Sequence, residues 1–230
     1  MVVKTENLVK RFRIGRGYFT ALNAINLTFK KGEFVGIVGP SGSGKTTLLN
    51  IIGSLDVPSE GHVTVMGKSV KHLSIKQASD LRNIYIGFIF QTFNLLPVYT
   101  VFENVEFPLL LQKRSASERK KMVQQALEWV KLTDKINSKP AQLSGGQCQR
   151  VAVARAMVKQ PQIVLADEPT ANLDAENSHH ILQTMEALNK NFKTTFIFST
   201  HDDKVIKYLR RKVTLLDGKV ARDEILANSQ

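Results

Sequence analysis

Residues 34–52 read FVGIVGPSGSGKTTLLNII, and the predicted fold depends on this stretch. It begins with a short apolar run, Phe34 to Val38, which is typical of a buried strand. It ends with Thr46 to Ile52, which we interpret as a helix. Between them, Gly39 to Thr46 fits the pattern G-x-x-x-x-G-K-[ST]. A strand, a glycine loop and a helix in this order indicate a site for phosphate groups at the start of the helix.

The loop offers several groups that bind anions. Its glycines let consecutive amides point into one hollow, and the helix adds the positive end of its dipole. Lys45 can reach the β- and γ-phosphates of a nucleotide, and the hydroxyl of Thr46 can bind Mg²⁺. A ligand-free strand-to-helix turn is the alternative, and Lys45 and Thr46 argue against it. The predicted phosphate-binding residues are Gly39, Pro40, Ser41, Gly42, Ser43, Gly44, Lys45, Thr46 and Thr47.

Length and composition set limits on the class of protein. The chain has 230 residues, 43% of them hydrophobic, which predicts a single domain over residues 1–230. One cysteine, Cys148, excludes an internal disulfide framework and indicates a reducing compartment. No apolar run reaches the roughly 18 residues of a membrane span. The net charge of +12 comes from dispersed basic residues, so a solvated surface is favoured over a nucleic-acid partner, and an acidic membrane surface stays as an alternative neighbour.

Apolar segments alternate with helical patterns along most of the chain. The predicted strands outside the opening stretch are Val2 to Asn7, Leu22 to Phe29, His62 to Met66, Ile84 to Phe90, Ile163 to Ala166, Thr195 to Ser199 and Val213 to Leu216. Helical patterns start at Ser144 and run from Ala175 to Asn189, and Phe93 to Pro140 is mostly helical, with Ser117 to Leu132 the clearest helix. Strands that alternate with helices indicate an α/β fold with a mainly parallel sheet.

Two carboxylates follow the apolar run Ile163 to Ala166. Asp167 comes at the carboxyl end of this strand, where ligands bind in open α/β sheets. Asp167 can hold a magnesium ion through water, and Glu168 can orient an attacking water. A polar strand cap is the alternative role for Glu168, but Pro169 stiffens the turn that presents the carboxylate and favours catalysis.

Gln91 and His201 also follow predicted strands, at the same edge as Lys45 and Asp167. The neutral amide of Gln91 can contact both a metal ion and water. A single histidine is usually structural, but its place at the end of a strand favours a role in the site. We therefore take Gln91, Lys45, Glu168 and His201 as candidate catalytic residues, and Thr46, Gln91 and Asp167 as candidate metal ligands.

A second glycine-bearing helix start, Leu143 to Gln147, reads LSGGQ. Ser144 is a suitable N-cap, and the helix amides with its hydroxyl form another anion site. Two adjacent glycines destabilise a helix start, which favours a close backbone approach to another group over an ordinary helix start. Because the first loop already serves a triphosphate, Ser144, Gly145, Gly146 and Gln147 are predicted to bind a nucleotide held by another copy of the chain.

In this order and spacing, the motifs resemble those of the ATP-binding subunits of ABC transporters over nearly the full chain. The resemblance implies a P-loop NTPase core, an amino-terminal antiparallel β-subdomain and an inserted helical subdomain at about residues 93–160. It also implies a head-to-tail dimer around two ATP and Mg²⁺, with Glu168 as general base and His201 on the γ-phosphate. Asp174, in Asn172-Leu173-Asp174, would link the two sites, and Phe12 would stack on adenine, with Tyr18 as the alternative.

The segments from Arg82 to Gly87 and from Gln91 to Pro97 resemble the lipoprotein-releasing and macrolide-export branch more closely. That branch implies a membrane subunit that docks near Gln91 to Tyr99 and holds the chain at the cytoplasmic face of the cell membrane. Ala171 replaces the usual glycine of the branch, and Cys148 stands where a polar residue is common. A regulatory ATPase that signals through a membrane partner, as in cell division, is the alternative. A DNA-repair ATPase is not favoured because the long coiled-coil insertion is missing.

Overall fold

Residues 1–226 are described by the computed structural model, and within them the strands form two sheets. The strands are β1 Val3–Ile14, β2 Gly17–Phe29, β3 Phe34–Val38, β4 Glu60–Val65, β5 Lys68–Ser69, β6 Ile86–Ile89, β7 Ile163–Asp167, β8 Thr195–Thr200, β9 Arg211–Leu216 and β10 Lys219–Ile225. The helices are α1 Lys45–Ile52, α2 Ile75–Tyr85, α3 Val101–Leu111, α4 Ala116–Trp129, α5 Gly145–Met157, α6 Ala175–Phe192 and α7 Asp203–Ile206.

The larger sheet has the order β10-β9-β3-β8-β7-β6. Strands β9, β3, β8, β7 and β6 are parallel to one another, and β10 pairs antiparallel with β9. The smaller sheet, β2-β1-β4-β5, is antiparallel. This architecture confirms the predicted α/β class, with a mainly parallel core sheet and an amino-terminal antiparallel sheet.

The central strands are buried on both faces, which explains their unbroken apolar character. In β8, alternation sends Phe196 and Phe198 to one face and Ile197 to the other. The first face packs against α5 and α6, and there the Phe34 ring lies 4.7 Å from the Phe198 ring. The second face packs against α1 and the smaller sheet. Two apolar layers therefore hold the core sheet rigidly between them.

The first two strands form a longer hairpin than the sequence predicts. They pair from Val3 with Phe29 to Ile14 with Gly17. Residues 11–20 of this hairpin are exposed on both faces. No side chain of this part is buried, and charged and apolar residues alternate only over Arg11 to Ile14, so its strand signal is short. For the same reason the exposed edge strand β10 was not predicted.

The region at about residues 93–160 contains α3, α4 and α5, as the predicted helical insertion requires. Helix α3 begins with a capping box, since Thr100 accepts from the Glu103 amide and Glu103 accepts from the Thr100 amide. The middle helix begins one residue before the predicted start and ends at Trp129. Among the described residues, no helix combines the length and the apolarity that crossing a membrane requires.

The predicted strand from Ile84 to Phe90 is wrong at its start. Ile84 and Tyr85 are the last residues of α2, and β6 covers only Ile86–Ile89. Helix α2 escaped prediction because Leu81 is its one buried residue, so its sequence carries almost no helical apolar periodicity. Its start is stabilised by a capping box between Ser74 and Gln77.

Candidate functional site

The carboxyl ends of β3, β6, β7 and β8 meet at one edge of the core sheet because these strands are parallel. A cavity of about 460 Å³ opens there. Ten of the predicted site residues line it: Phe12, Ser41, Gly42, Gly44, Lys45, Thr46, Thr47, Gln91, Glu168 and His201. Phe19, Ala21 and Ala171 also line it and were not predicted.

The glycine loop is shaped by close backbone approaches. Gly44 has φ of 99°, and a Cβ there would lie 2.5 Å from the Ala21 carbonyl oxygen. A Cβ on Gly39 would lie 2.2 Å from the Leu215 carbonyl oxygen. Side chains at either position would therefore push the loop away from β2 or β9. Two glycines of the motif are thus required by the packing of this chain as well as by a phosphate.

Lys45 lies across this loop and is largely buried. Its Nζ donates to the carbonyl oxygens of Gly39 at 2.7 Å and Pro40 at 2.9 Å. The hydroxyl of Ser43 is also buried and has no hydrogen-bond partner within residues 1–226. The Lys45 ammonium lines the cavity and is suited to an anion there, whereas Ser43 is not among the lining residues.

Thr46 and Asp167 meet across the first turn of α1. The Thr46 hydroxyl lies 3.1 Å from each carboxylate oxygen of Asp167. The two residues are 121 positions apart in the chain, and the parallel pairing of β3, β8 and β7 brings their side chains together. Hydroxyl and carboxylate oxygens in contact form a hard-ligand pair.

Glu168 is held in a strained position next to this pair. Its φ is +46°, which is uncommon for a residue other than glycine. Its amide donates to the Ser199 carbonyl oxygen at 2.9 Å. Its Oε1 lies 2.7 Å from Nδ1 of His201, and the glutamate side chain is 16% exposed against 68% for the histidine. The two predicted catalytic residues are therefore in direct contact, with the carboxylate the more sheltered of the two.

Two aromatic rings form the wall of the cavity on the hairpin side. Phe12 pairs with Phe19 across the hairpin, and both line the cavity. The Nζ of Lys10 lies 5.0 Å from the centre of the Phe12 ring. Tyr18, the alternative to Phe12, is 72% exposed and does not line the cavity. The alternation of strand side chains separates Phe12 and Phe19 from Tyr18.

Ser144, Gly145, Gly146 and Gln147 form the start of α5, where Ser144 and Gly145 are exposed and Gly146 is buried, and none of the four lines the cavity. Ser144 and Gln147 form a capping box, with the Ser144 Oγ accepting from the Gln147 amide at 3.2 Å. A Cβ on Gly146 would lie 2.4 Å from Oδ1 of Asn177, whereas one on Gly145 would meet nothing closer than 3.8 Å. The predicted close approach is therefore made by Gly146, to a residue of α6 in the same chain.

Asp174 connects to this helix start through Asn177. Asp174 caps α6, accepting from the Asn177 backbone amide at 2.8 Å and from its side-chain amide at 2.7 Å. These two hydrogen bonds, the backbone one first, lower the pKa of the Asp174 carboxyl. Gly146, Asn177 and Asp174 thus form one packed unit that the sequence motifs do not reveal.

Side chains of Asn172 and Arg155 hold the loop after Gln91 by hydrogen bonds to its backbone. The side-chain amide of Asn172 donates to the Gln91 carbonyl oxygen at 2.9 Å. The Arg155 guanidinium of α5 donates to the carbonyl oxygens of Asn94 at 2.5 Å and Phe93 at 2.7 Å. Phe93 and Asn94 have φ of 61° and 48°, so both are in the left-handed region. Arg155 was not predicted from the sequence.

An apolar groove runs beside this loop, and we call it the aromatic groove. It consists of two adjoining hollows of about 300 and 260 Å³. Of the predicted docking segment from Gln91 to Tyr99, Asn94 and Leu96 line it, whereas Leu95 packs against the core. The residues that define the groove are Arg82, Ile86, Phe88, Phe90, Leu96, Phe107, Pro108, Leu111, Arg155 and Lys159.

Comparison with known proteins places this site in context. The family model described as ABC transporter matches residues 22–171. The ABC transporter ATP-binding protein MJ0796 of Methanocaldococcus jannaschii is 44% identical over 98% of this chain and 97% of its own length. The lipoprotein-releasing system ATP-binding protein LolD of Francisella tularensis is 41% identical over 100% of this chain and 98% of its own.

One solved structure is similar over almost the whole fold. It is a dimeric post-hydrolysis state of the ATP-binding cassette MJ0796 bound to ADP and Pi. The TM-score is 0.91, and the match covers 98% of this chain and 99% of that one. The macrolide export ATP-binding/permease protein MacB of Bartonella quintana is 42% identical over 97% of this chain and 34% of its own length. The similarity to a lipoprotein-releasing protein and to a macrolide-export protein agrees with the branch that the motifs resemble.

Proposed function

This chain belongs to the ABC transporter family and is an ATP-binding ATPase, and on that premise we propose that two copies close head to tail around two ATP molecules and drive a membrane subunit. We take residues 1–230 as one ABC-type domain. The proposal is supported mainly by the separation of the predicted site residues into two groups that lie apart in one chain. The cavity holds Lys45, Glu168 and His201, while the start of α5 lies outside its lining among the described residues.

The division argues for a second copy. The start of α5 exposes Ser144 with its hydroxyl and Gly145, and it adds the positive end of a helix dipole, which is suited to an anion. In a head-to-tail dimer each copy would offer this surface to the ATP held by the other, so two half-sites would make two whole ones. Ser144, Gly145, Gly146 and Gln147 are assigned to that role. Asp174 would carry a change at one site to the other, because through Asn177 it contacts Gly146.

Within one copy, residues from Gly39 to Thr47 would hold the triphosphate. The Lys45 ammonium would exchange its bonds to Gly39 and Pro40 for phosphate oxygens. Phe12 would stack on the adenine, with Phe19 beside it on the same face of the hairpin. Stacking on an aromatic ring is favourable for any base, so this contact would supply affinity more than base selectivity.

The contact of Thr46 with Asp167 fits Mg²⁺ in the chemistry of its donors. A hydroxyl and two carboxylate oxygens at 3.1 Å are hard oxygen ligands, and Gln91, on the same cavity, adds an amide oxygen. Thr46, Asp167 and Gln91 would hold the ion. When bound, it would neutralise negative charge on the β- and γ-phosphates.

Glu168 is assigned as the general base. Its sheltered carboxylate would accept a proton from a water that attacks the γ-phosphorus, and ADP would leave. His201, in contact with Oε1 of Glu168, would orient this carboxylate and would contact the γ-phosphate with the other side of its ring. The left-handed backbone of Glu168 fixes where the carboxylate points.

The membrane subunit would dock in the aromatic groove, at the cytoplasmic face of the cell membrane. The groove exposes apolar side chains, among them Phe107 at 38% and Leu111 at 58%. Exposed apolar patches of this kind serve as protein interfaces. Because Leu96 of the groove is five residues from Gln91 of the cavity, a short loop would connect the nucleotide to the partner. The relatives named for lipoprotein release and macrolide export support this type of complex.

The test is the variant Glu168→Gln, with Glu186→Gln on the surface of α6 as the matched control. Glu168→Gln should bind ATP normally, lose hydrolysis by about 100-fold or more, and form a dimer on addition of ATP in analytical ultracentrifugation. The control should hydrolyse ATP at the wild-type rate and dimerise no more strongly than wild type. Normal hydrolysis by Glu168→Gln would remove the general-base assignment, and a monomer with ATP bound would remove the head-to-tail dimer.

A further inference from the structure

The aromatic groove carries positive charge, and residues 1–226 contribute no acidic side chain to its lining. Phe88 and Phe90, whose rings stack 5.7 Å apart, contribute to both of its hollows. Arg82, Arg155 and Lys159 are also among the residues lining these hollows. Within the described part of the chain, no aspartate or glutamate lines either hollow. An apolar surface with only cations is suited to an occupant that is apolar and anionic.

Several partly buried cations of this chain have carboxylate partners, whereas Arg82, Arg150, Arg155 and Arg210 bind carbonyl or amide oxygens and have no carboxylate partner within residues 1–226. Lys10 pairs with Asp56, Arg119 pairs with Glu106, and Arg211 pairs with both Glu33 and Asp223. Lys159 differs, because its Nζ donates to the Arg82 carbonyl oxygen at 2.8 Å and makes no ion pair with any residue in the range 1–226. Lys45 is also buried without a carboxylate, and its proposed anion is the phosphate of ATP.

Burial of Lys159 has a measurable cost. Desolvation lowers the pKa of its ammonium from 10.5 to about 8. A carboxylate placed beside Nζ would offset this desolvation, and the carbonyl of Arg82 leaves two of the three N–H donors free for it. Arg155 is less available, since it already binds the carbonyl oxygens of Phe93 and Asn94. Lys159 is therefore the group in the groove with the most to gain from an anion.

We propose that the aromatic groove receives a helix of the membrane subunit whose apolar face carries one carboxylate, and that this carboxylate pairs with Lys159. The proposal rests on the proposed function and adds the chemistry of the partner. The two adjoining hollows, which share Phe88, Phe107 and Pro108, suit two apolar side chains one helical turn apart. The carboxylate would lie between these two anchors. Lys159 thus becomes a specificity-determining residue of the interface.

The test uses the full chain and three synthetic helical peptides. Each peptide has two leucines one turn apart on one face, and between them a glutamate, a glutamine or a lysine. Affinities are measured at pH 7 by fluorescence anisotropy. The glutamate peptide should bind wild type about tenfold or more tightly than the glutamine peptide, and the lysine peptide should bind most weakly. A shared loss of active protein does not alter this ratio, so the readout is independent of any effect on folding.

Variants locate the source of the preference. Lys159→Met should bind the glutamate and glutamine peptides equally, and Lys159→Arg should keep the preference. Lys219→Met is the matched control, because Lys219 is in β10 at the opposite edge of the core sheet from β6. It should retain the full preference. A preference that persists in Lys159→Met would assign the anion to another cation and overturn the proposal.

Two other outcomes also overturn it. Equal binding of the glutamate and glutamine peptides to wild type would reject the carboxylate, and binding of no peptide at millimolar concentration would reject the helix. ATP-driven dimerisation of Glu168→Gln and of Glu168→Gln/Lys159→Met is measured in parallel. If both of these variants dimerise with ATP but wild type binds the glutamate and glutamine peptides equally, only the pairing with Lys159 is rejected. A glutamate preference without dimerisation means that the proposed ATP clamp fails and the docking chemistry stands.

Discussion

Replacing Gly146 with alanine should destabilise the chain, although alanine is the better helix former. The new Cβ would lie 2.4 Å from Oδ1 and 2.7 Å from Cγ of Asn177. Asn177 cannot rotate away freely, because its side-chain amide donates to Asp174 at 2.7 Å. The clash therefore either displaces α5 from α6 or breaks this hydrogen bond.

The magnitude follows from a comparison with Gly145. An alanine at 145 would have its nearest neighbour at 3.8 Å, which is ordinary contact. Both substitutions gain similar helix propensity in the first turn of α5, so their difference isolates the clash. Overpacking of this kind costs about 1–3 kcal/mol. In a chain of this size, each kcal/mol corresponds to about 2–4 °C in Tm.

The assay is thermal and urea unfolding of four variants. Two are Gly145→Ala and Gly146→Ala, and the other two combine each of these changes with Asn177→Ala. Gly146→Ala should melt below Gly145→Ala, and the difference should disappear in the Asn177→Ala background, where the side chain that clashes is gone. Equal stability of the two alanine variants, within about 0.5 kcal/mol, would refute the close approach. A difference that persists without Asn177 would assign it to another contact.

Three further predictions concern the nucleotide and the groove. Phe12→Ala should raise the KM for ATP by about tenfold, since a base stack contributes about 1–3 kcal/mol, while Tyr18→Ala should leave KM unchanged; equal effects would reject the choice of ring. Ser144→Ala and Lys45→Ala chains should each be nearly inactive. In an equal mixture, about half of the dimers contain one chain of each kind, and each of these has one intact site of two, so about a quarter of wild-type hydrolysis should return. No recovery would argue against sites shared between two chains. Between about pH 8 and 10.5, Lys159 holds a proton in the unfolded chain but not in the folded chain. The free energy of unfolding of wild type, relative to that of Lys159→Met, should therefore rise with pH by up to about 1.4 kcal/mol per pH unit. Urea unfolding across this range checks it, and a difference that falls with pH would contradict the lowered pKa.

The nucleotide end of the core sheet was predictable because its signals are local. The strand, loop and helix around Gly39 to Thr46 and the run ending at Asp167 each specify their own geometry within a few residues. Parallel pairing then places their ends at one edge, so Thr46 and Asp167 meet although they are far apart in the chain. Local patterns and one topological rule were enough for this part of the site.

The features that escaped prediction depend on partners distant in sequence. Phe19 lines the cavity because it pairs with Phe12 near the end of a hairpin that is exposed on both faces. The need for Gly146 depends on Asn177, which belongs to no motif. The unpaired state of Lys159 follows from the absence of acidic residues around it within residues 1–226, and no pattern in the sequence near Lys159 indicates this. These are properties of packing, which periodicity and spacing do not encode.

The two hydrogen bonds from the Arg155 guanidinium stabilise the loop between the cavity and the aromatic groove. Two consecutive left-handed residues other than glycine raise the energy of a chain, and Phe93 is the costlier of the two because its side chain is bulky. The guanidinium offsets this cost only while α5 stays where its two nitrogens reach both carbonyl oxygens. Without these two hydrogen bonds, the strain at Phe93 and Asn94 would lose this compensation. The shape of the segment between Gln91 and Leu96 therefore depends on the position of α5, through the side chain of Arg155.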